Sequence, residues 1–303
     1  MNSPKVSIII LNWNGKDDTI ECLESLRKIT YPNYDVVVVD NDSKGDDVKV
    51  LREMFGEYIH IIENNKNYEF AEGNNIGMRW ALKKGIDYVL LLNNDIIVDP
   101  EFLSEMVKVA ENDQQIGMVG PKIYFYDNPD KIWFAGGNIS MWRCKTWHTG
   151  KGEIDDGQYD SLQEVDYITG CALLVKREVI EKIGMLDPDY LSYYEDTDWC
   201  IRAKQHGYKI VYVPTAKLWH KGGTSTGGGH TSYDSLFRAK RKGRNVLLFM
   251  RKNAKLEHWL VFPFFAMVGL VHIIIRETLR GNVRSVFALM KGIASNFNLK
   301  TDK

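Results

Sequence analysis

The stretch Tyr88-Val89-Leu90-Leu91-Leu92-Asn93-Asn94-Asp95-Ile96-Ile97-Val98 decides the fold. Its apolar run breaks off at Asn93-Asn94-Asp95 and resumes at Ile96. A strand buried on both faces reads as such a run. In an open α/β sheet, ligands lie outside the carboxyl ends of the strands. Two amides and a carboxylate at that place suit a ribose, a diphosphate and a divalent cation.

Upstream, the same pattern repeats. Val6 to Leu11 reads as a central strand and runs into Asn12-Trp13-Asn14-Gly15. Val36 to Val39 ends in Asp40-Asn41-Asp42-Ser43, and Ile59 to Ile62 ends in Glu63-Asn64-Asn65. Asp18 and Glu21 have capping-box spacing, which predicts a helix opening there with Ile20, Leu23 and Leu26 on one face. Gly73-Asn74-Asn75 predicts the opening of a second helix, running to about Lys84. This alternation predicts a doubly wound α/β sheet, mostly parallel. One strand ending in Asn or Asp is ordinarily an Asx turn. Four such ends at one edge are better read as a shared nucleotide pocket.

Downstream, Asp99-Pro100-Glu101 caps a helix to about Glu111. Gln115 to Lys122 returns a strand. Residues 123–165, with Trp133, Trp142, Trp147 and Gly136-Gly137, predict hairpins in a long excursion whose aromatics either line an acceptor cleft or simply pack. Ala172 to Val175 is a strand, and Arg177 to Ile183 is a helix stopped by Gly184. A further helix follows Tyr193-Tyr194-Glu195-Asp196-Thr197-Asp198-Trp199 and stops at Gly207. Ile210 to Val213 is a strand that Pro214 is expected to end. Leu218-Trp219-His220-Lys221 comes next, and Thr224 to Gly229 reads as a mobile loop by composition.

Composition removes several classes. With 39 Lys+Arg against 40 Asp+Glu in 303 residues, the chain is not a general nucleic-acid binder. Cys22, Cys144, Cys171 and Cys200 lie far apart without a CxxC pair, which reads as structural thiols in a reducing compartment. The amino terminus runs straight into a strand with no signal-peptide pattern, so the amino-terminal part is expected in the cytoplasm.

Two further places carry chemistry. Glu195, Asp196 and Asp198 crowd a helix start, where acids are ordinarily capping or dipole partners. Asp198 lies four residues before Arg202, in ion-pair orientation. Asp196 shares a face with Trp199, Cys200 and Ala203, which predicts an inward carboxylate and makes it, with Glu195 beside it, the candidate general base. A lone histidine is usually structural or superficial. His220 could instead join Asp95 and diphosphate oxygens around Mn²⁺ or Mg²⁺.

Taken in order, Val6–Asn14, Val39–Ser43, Asn67–Gly77, Leu92–Asp95, Tyr194–Trp199 and Trp219-His220 resemble family 2 glycosyltransferases of the GT-A fold. The similarity is to their rhamnosyltransferase-like branch and covers about Pro4 to Lys252. It implies inverting transfer of a sugar from a nucleoside diphosphate sugar, UDP- or dTDP-linked, to a hydroxyl of a glycan or lipid-linked acceptor. It implies that Asp40 reads the base, that Asn12 and Asn74 contact the nucleotide, and that Asn93, Asn94 and Asp95 hold the Asp-x-Asp position with Asp95 on the metal. Asp196 matches the catalytic base and His220 a metal ligand. Asn93 replaces the first acid of that motif, and Glu69 and Glu72 stand where many relatives carry glycine.

The carboxy-terminal part differs in character. Arg238 to Lys255 carries eight Lys or Arg and no acid, and Trp259 to Ile275 is an apolar run. A spanning helix needs about 20 apolar residues. Three readings stay open: an interfacial helix beside an anionic membrane surface, a core or homo-oligomer helix, and a spanning one. A division follows, with a transferase domain over 1–235 and a helical, membrane-associating extension over 236–303. The expected location is cytoplasmic, peripheral at the inner face of the cell membrane. Arg244-Asn245 is a further candidate for the diphosphate. Two other classes compete. A nucleotidyltransferase needs a glycine-rich, Arg-bearing loop after the first strand, which Asn12–Gly15 is not. A non-catalytic nucleotide-sugar-binding protein draws on Asn93, but Asp95, Asp196 and His220 together argue against it.

Overall fold

A computed structural model describes residues 3–143, 145–222 and 235–296. Cys144, Gly223 and the Gly/Ser/Thr-rich stretch from Thr224 to Gly229 lie outside the described residues. In chain order the first elements are β1 (Val6–Asn12), α1 (Lys16–Leu26), β2 (Tyr34–Asp40), α2 (Asp47–Phe55), β3 (Ile59–Glu63), α3 (Glu69–Lys83), β4 (Tyr88–Asn93), β5 (Ile96–Val98) and α4 (Phe102–Asn112). There follow β6 (Ile116–Phe125), β7 (Asn128–Phe134), β8 (Gly137–Ser140), β9 (Lys145–His148), β10 (Gln163–Glu164), β11 (Ala172–Lys176), α5 (Arg177–Ile183), α6 (Glu195–Gln205) and β12 (Lys209–His220). Three helices close the described chain: α7 (Leu236–Asn253), α8 (Leu256–Leu279) and α9 (Val283–Ser295).

The apolar runs become the middle of one ten-stranded sheet, ordered β10-β12-β6-β11-β4-β1-β2-β3, with β5 on β12 and β7 on β6. β3, β2, β1 and β4 are parallel neighbours, and β6 and β12 are parallel to each other. Between these groups β11 runs antiparallel to both β4 and β6, so β1, β2, β3, β4, β6 and β12 all point one way. Their carboxyl ends share one edge. Ile8, Ile9, Ile10, Val37, Val38 and Leu90 are fully buried at the centre. Each such side chain contributes about 1.5–3 kcal/mol of burial. Helix α3 packs close on this layer because it carries glycine at the contact. A Cβ on Gly77 would lie 2.5 Å from Ile9 Cγ2 and 3.0 Å from Val39 Cγ2.

Three local expectations are corrected. Helix α1 opens at Lys16 with Gly15 as N-cap and no side-chain cap, so Asp18 is not capping. Asp18 instead accepts a hydrogen bond from Lys221 Nζ at 2.9 Å. Helix α3 opens at Glu69, a turn before Gly73, and Glu69 holds φ at 62°, in the left-handed region that favours glycine. Pro214 does not end β12. The strand passes it through a register shift against β6 between Val213 and Lys217, the kind of irregularity where a proline without an N–H is tolerated.

The excursion after β6 is anchored by charge. Lys122, fully buried on β6, donates to Asp155 at 2.8 Å and Asp160 at 2.5 Å, and Tyr124 OH donates to Asp155 at 2.6 Å. Sequence reading offered no hint of this lysine, because its partners sit more than thirty positions away.

The chain divides into two compact units. One comprises residues up to Asn138, His148–Leu191 and Glu195–Lys221; the other comprises Ile139–Trp147, Ser192–Tyr194 and the chain from Gly222 on. In the second unit α7 and α9 cross at glycines. A Cβ on Gly243 would lie 2.4 Å from the Leu289 carbonyl oxygen, and one on Gly292 would lie 2.0 Å from that of Lys240. Among the described residues α8 is the one helix long and apolar enough to cross a membrane. Little of it is buried, so it is not a core helix of this chain.

Candidate active site

The site forms where the carboxyl ends of β1, β2, β4 and β12 meet. Asp40, 4% exposed at the end of β2, accepts from Asn12 Nδ2 at 2.8 Å, from Ser43 N at 3.0 Å and from Ser43 Oγ at 2.6 Å. It opens onto a cleft of about 560 Å³ lined also by Asp42, Ser43, Lys49, Arg52 and Asn64. Such a carboxylate is held rigid with acceptor capacity left for an N–H in the cleft.

Asn12, expected at the nucleotide, braces Asp40. It is fully buried, and its Nδ2 also reaches Asp47 Oδ1 at 3.1 Å while its Oδ1 accepts from Thr19 Oγ1 at 2.8 Å. Asn74 is likewise buried, its amide folded back on the Phe70 carbonyl at 2.9 Å. Asn94 donates to Thr19 Oγ1 at 3.0 Å and approaches Gly15 so closely that a Cβ there would lie 2.6 Å from its Nδ2. Asn93 is half-buried, with its Nδ2 3.5 Å from Cys171 Sγ.

β12 runs parallel to β6 and antiparallel to β5, in a register that sets His220 opposite Ile96. That register carries His220, 125 positions further along the chain, back to Asp95. His220 Nε2 lies 3.2 Å from Asp95 Oδ1, both side chains being 6% exposed. Neither ring nitrogen of His220 has a hydrogen-bond partner. A buried imidazole beside a carboxylate without an aligned hydrogen bond is a donor pair suited to a shared cation. Among the described residues no cluster of three or more metal-binding side chains forms.

Two neighbours of His220 were not foreseen. Trp133 meets its ring edge to face, with centroids 4.6 Å apart. Lys221 donates its backbone N–H to the Asp95 carbonyl at 3.0 Å, and its Nζ reaches both Asp18 and Glu21 at 2.9 Å. Burial works against that ammonium, but the hydrogen bonds it donates to both carboxylates outweigh it and keep it above its ordinary value.

Asp196 lies near the same edge through two backbone links. Asn93 N donates to the Cys171 carbonyl at 2.9 Å, and Gly170 N donates to Asp196 Oδ2 at 2.8 Å. The charges of Asp95 and Asp196 both bear on the Cys171 thiol between them, which burial raises first. Asp196 also accepts from Thr197 N at 2.6 Å. Burial lifts its carboxyl above the ordinary value, against those hydrogen bonds. Trp199, Cys200 and Ala203 are fully buried as expected, but Asp196 is only half-buried, and Glu195 is the acid that turns inward. Glu195 is 5% exposed, its Oε2 has no hydrogen-bond partner, and burial followed by the Asp196 charge pushes it well above the ordinary value. Asp198 is structural: it accepts from Arg202 Nε at 2.8 Å and Tyr190 OH at 3.1 Å. Asn245, in the second unit, is also structural, its amide donating to the Ser192 and Tyr193 carbonyls at 2.7 and 2.8 Å.

The mostly parallel sheet, with its polar strand ends gathered at one edge, has the GT-A architecture. The chain belongs to glycosyl transferase family 2, whose profile matches residues 7–184. That match stops before Asp196 and His220. The dTDP-rhamnosyl transferase RfbF of Shigella flexneri is 27% identical over 84% of this chain and 82% of its own length. The N-acetylglucosaminyl-diphospho-decaprenol L-rhamnosyltransferase of Mycobacterium tuberculosis is 26% identical over 68% of this chain and 69% of its own. The mannosyltransferase PcManGT of Pyrobaculum calidifontis, solved with GDP-Man and Mn²⁺, superposes with a TM-score of 0.62 at 14% identity, covering 98% of this chain and 88% of that one. The last of these shows the shared fold.

Proposed function

We propose that this glycosyltransferase moves a hexosyl group, rhamnose in the first instance, from a dTDP- or UDP-sugar to a hydroxyl of a glycan or lipid-linked acceptor, with inversion. The observation that carries this reading is the convergence of Asp95, His220 and Asp196 on one sheet edge beside the Asp40 cleft. The two rhamnosyltransferase relatives support the sugar, and the name of the Shigella one also supports dTDP. Asp40 accepts the N3–H that uracil and thymine share, which leaves the two bases equivalent at that contact.

Asp95 and His220 would hold Mn²⁺ or Mg²⁺, with diphosphate oxygens completing the shell. A cation there supplies countercharge to the departing diphosphate. Asp196, ionised and with its carboxyl raised by burial, accepts the proton of the acceptor hydroxyl as the new bond forms. Attack from the face opposite the diphosphate inverts the anomeric carbon, and no covalent sugar–enzyme intermediate forms. The basic and apolar helices of the second unit support a cytoplasmic enzyme working at an anionic membrane face.

The test is thermal unfolding of the purified chain with UDP, dTDP, GDP or CDP, each with Mn²⁺, Mg²⁺ or EDTA. A ligand at about 100 times its dissociation constant stabilises by about 2.7 kcal/mol. We expect a rise with UDP or dTDP that EDTA reverses and that His220→Ala removes. A rise indifferent to EDTA would discard the cation site and keep the transferase. No rise with any nucleotide would sink the reading.

A further inference from the structure

We propose that α8 does not cross the membrane but lies along its surface, forming with α9 a monotopic hairpin whose exposed apolar stripe dips into an anionic leaflet. The proposal rests on the membrane reading above. It settles on one of the arrangements that a 24-residue apolar helix allows.

The first observation is the stripe itself. Leu260, Phe264, Met267, Val271, Ile275 and Leu279 are all exposed and recur every three or four residues. At about 100° per residue they fall within one arc of about 120°. His258, Phe262 and Glu277 are the buried side chains of α8, and they lie on the opposite side. The stripe continues across the turn into α9, where Val283, Phe287 and Met290 are exposed at the same spacing.

The second observation is closure. α8 leaves α7 after a two-residue link, and its far end returns through α9 to the same helix. Asn296 Nδ2 donates to the Arg244 carbonyl at 2.8 Å, Arg251 Nη1 donates to the Asn296 carbonyl at 3.1 Å, and Leu289 packs on Gly243. At about 1.5 Å per residue α8 is about 36 Å long. Its far end is carried back to α7 by α9, which packs on both helices. A spanning α8 would drag α7 across with it, with Arg244, Arg251 and Lys252 at membrane depth. Each such charge costs about 2.5–3.5 kcal/mol or more at the centre of a bilayer.

The third observation is charge at both ends. Lys255 flanks one end of α8, and Arg276, Arg280 and Arg284 flank the other. Glu277, with no exposed side-chain surface, accepts from Arg276 at 2.7 Å and from Asn282 at 3.0 Å, which stiffens the corner into α9. Basic residues favour the cytoplasmic face. With both ends basic, both belong on that face, and the same residues then rim the stripe against anionic headgroups.

The full chain is expressed with Lys255→Cys or Thr278→Cys, at opposite ends of α8. Each is treated with a membrane-impermeant maleimide, in spheroplasts and in inverted membrane vesicles, and scored against the parent chain. We expect both introduced thiols to label from the cytoplasmic side alone. Labelling of the Thr278→Cys thiol only from the outer side would overturn the proposal while leaving membrane binding intact. In parallel, the purified chain is floated with vesicles of three parts phosphatidylcholine to one part phosphatidylglycerol. Phe264→Glu should lower the floated fraction at least tenfold while keeping the thermal response to UDP or dTDP. A parent chain that does not float would remove the membrane reading itself, and an unchanged Phe264→Glu variant would remove the stripe.

Discussion

At the scale of single residues, the site separates two adjacent carboxylates into different roles by environment. Asp196 is half-buried and accepts two backbone N–H groups, whereas Glu195 is buried with a bare oxygen. Asp196→Asn should lower turnover about 10²–10⁴-fold, the usual worth of a general base, while the thermal response to UDP or dTDP stays. Unchanged turnover would remove Asp196 from that role. Glu195 makes a second prediction, through pH. Its carboxyl is raised well above 4.5, so the folded chain keeps a proton that the unfolded chain has released. The resulting stability is complete below the unfolded value and falls as pH rises through the folded one. Urea unfolding from about pH 5 to about pH 8 should therefore show a decline that Glu195→Gln flattens. A variant with the parent's slope would mean that Glu195 is ionised in the folded chain. The sequence placed three acids at this helix start and paired Asp198 with Arg202 correctly. It expected Asp196 to point inward and left the burial of Glu195 unread, because helical periodicity does not say how deep the first turn sits.

At the scale of elements, strand register decides what the site contains. β12 must pass Pro214 with a shifted register for His220 to reach Asp95, and Lys221 then ties the strand end to Asp18 and Glu21 of α1. A strand stopping at Pro214, as local rules predict, would leave the histidine without a carboxylate. Helix α3 shows the opposite dependence, since its approach to the sheet needs glycine at one contact. Gly77→Ala would set a methyl 2.5 Å from Ile9 Cγ2. Overpacking of this kind costs about 1–3 kcal/mol, which the urea midpoint would show. A midpoint equal to the parent's would mean that α3 shifts away from β1 without strain. The strands themselves were legible from apolar runs, to within a residue or two at most ends. Helix starts were less so, because α1 and α3 open without the side-chain caps that mark a start in sequence.

At the scale of the whole molecule, the chain combines a transferase unit that belongs to glycosyl transferase family 2 with helices whose exposed surface is apolar and basic. Charge and burial then contribute separately to membrane binding, and salt tells them apart. Flotation with the anionic vesicles should weaken from 0.1 M to 1 M NaCl, as the screening length contracts from about 10 Å to about 3 Å. The residual bound fraction should equal that on pure phosphatidylcholine vesicles. Salt-independent flotation would leave the apolar stripe alone in charge of binding. By itself the sequence determined the parallel sheet, the polar strand ends, the family and the basic-apolar tail, because each is written in residues close together along the chain. Only the tertiary structure decided that His220 faces Asp95, that Trp133 and Lys221 back that pair, that Asn12 braces Asp40, and that α9 packs back on α7. Those arrangements join positions tens to more than a hundred residues apart. Their energetics come from register and close packing, which local pattern does not encode.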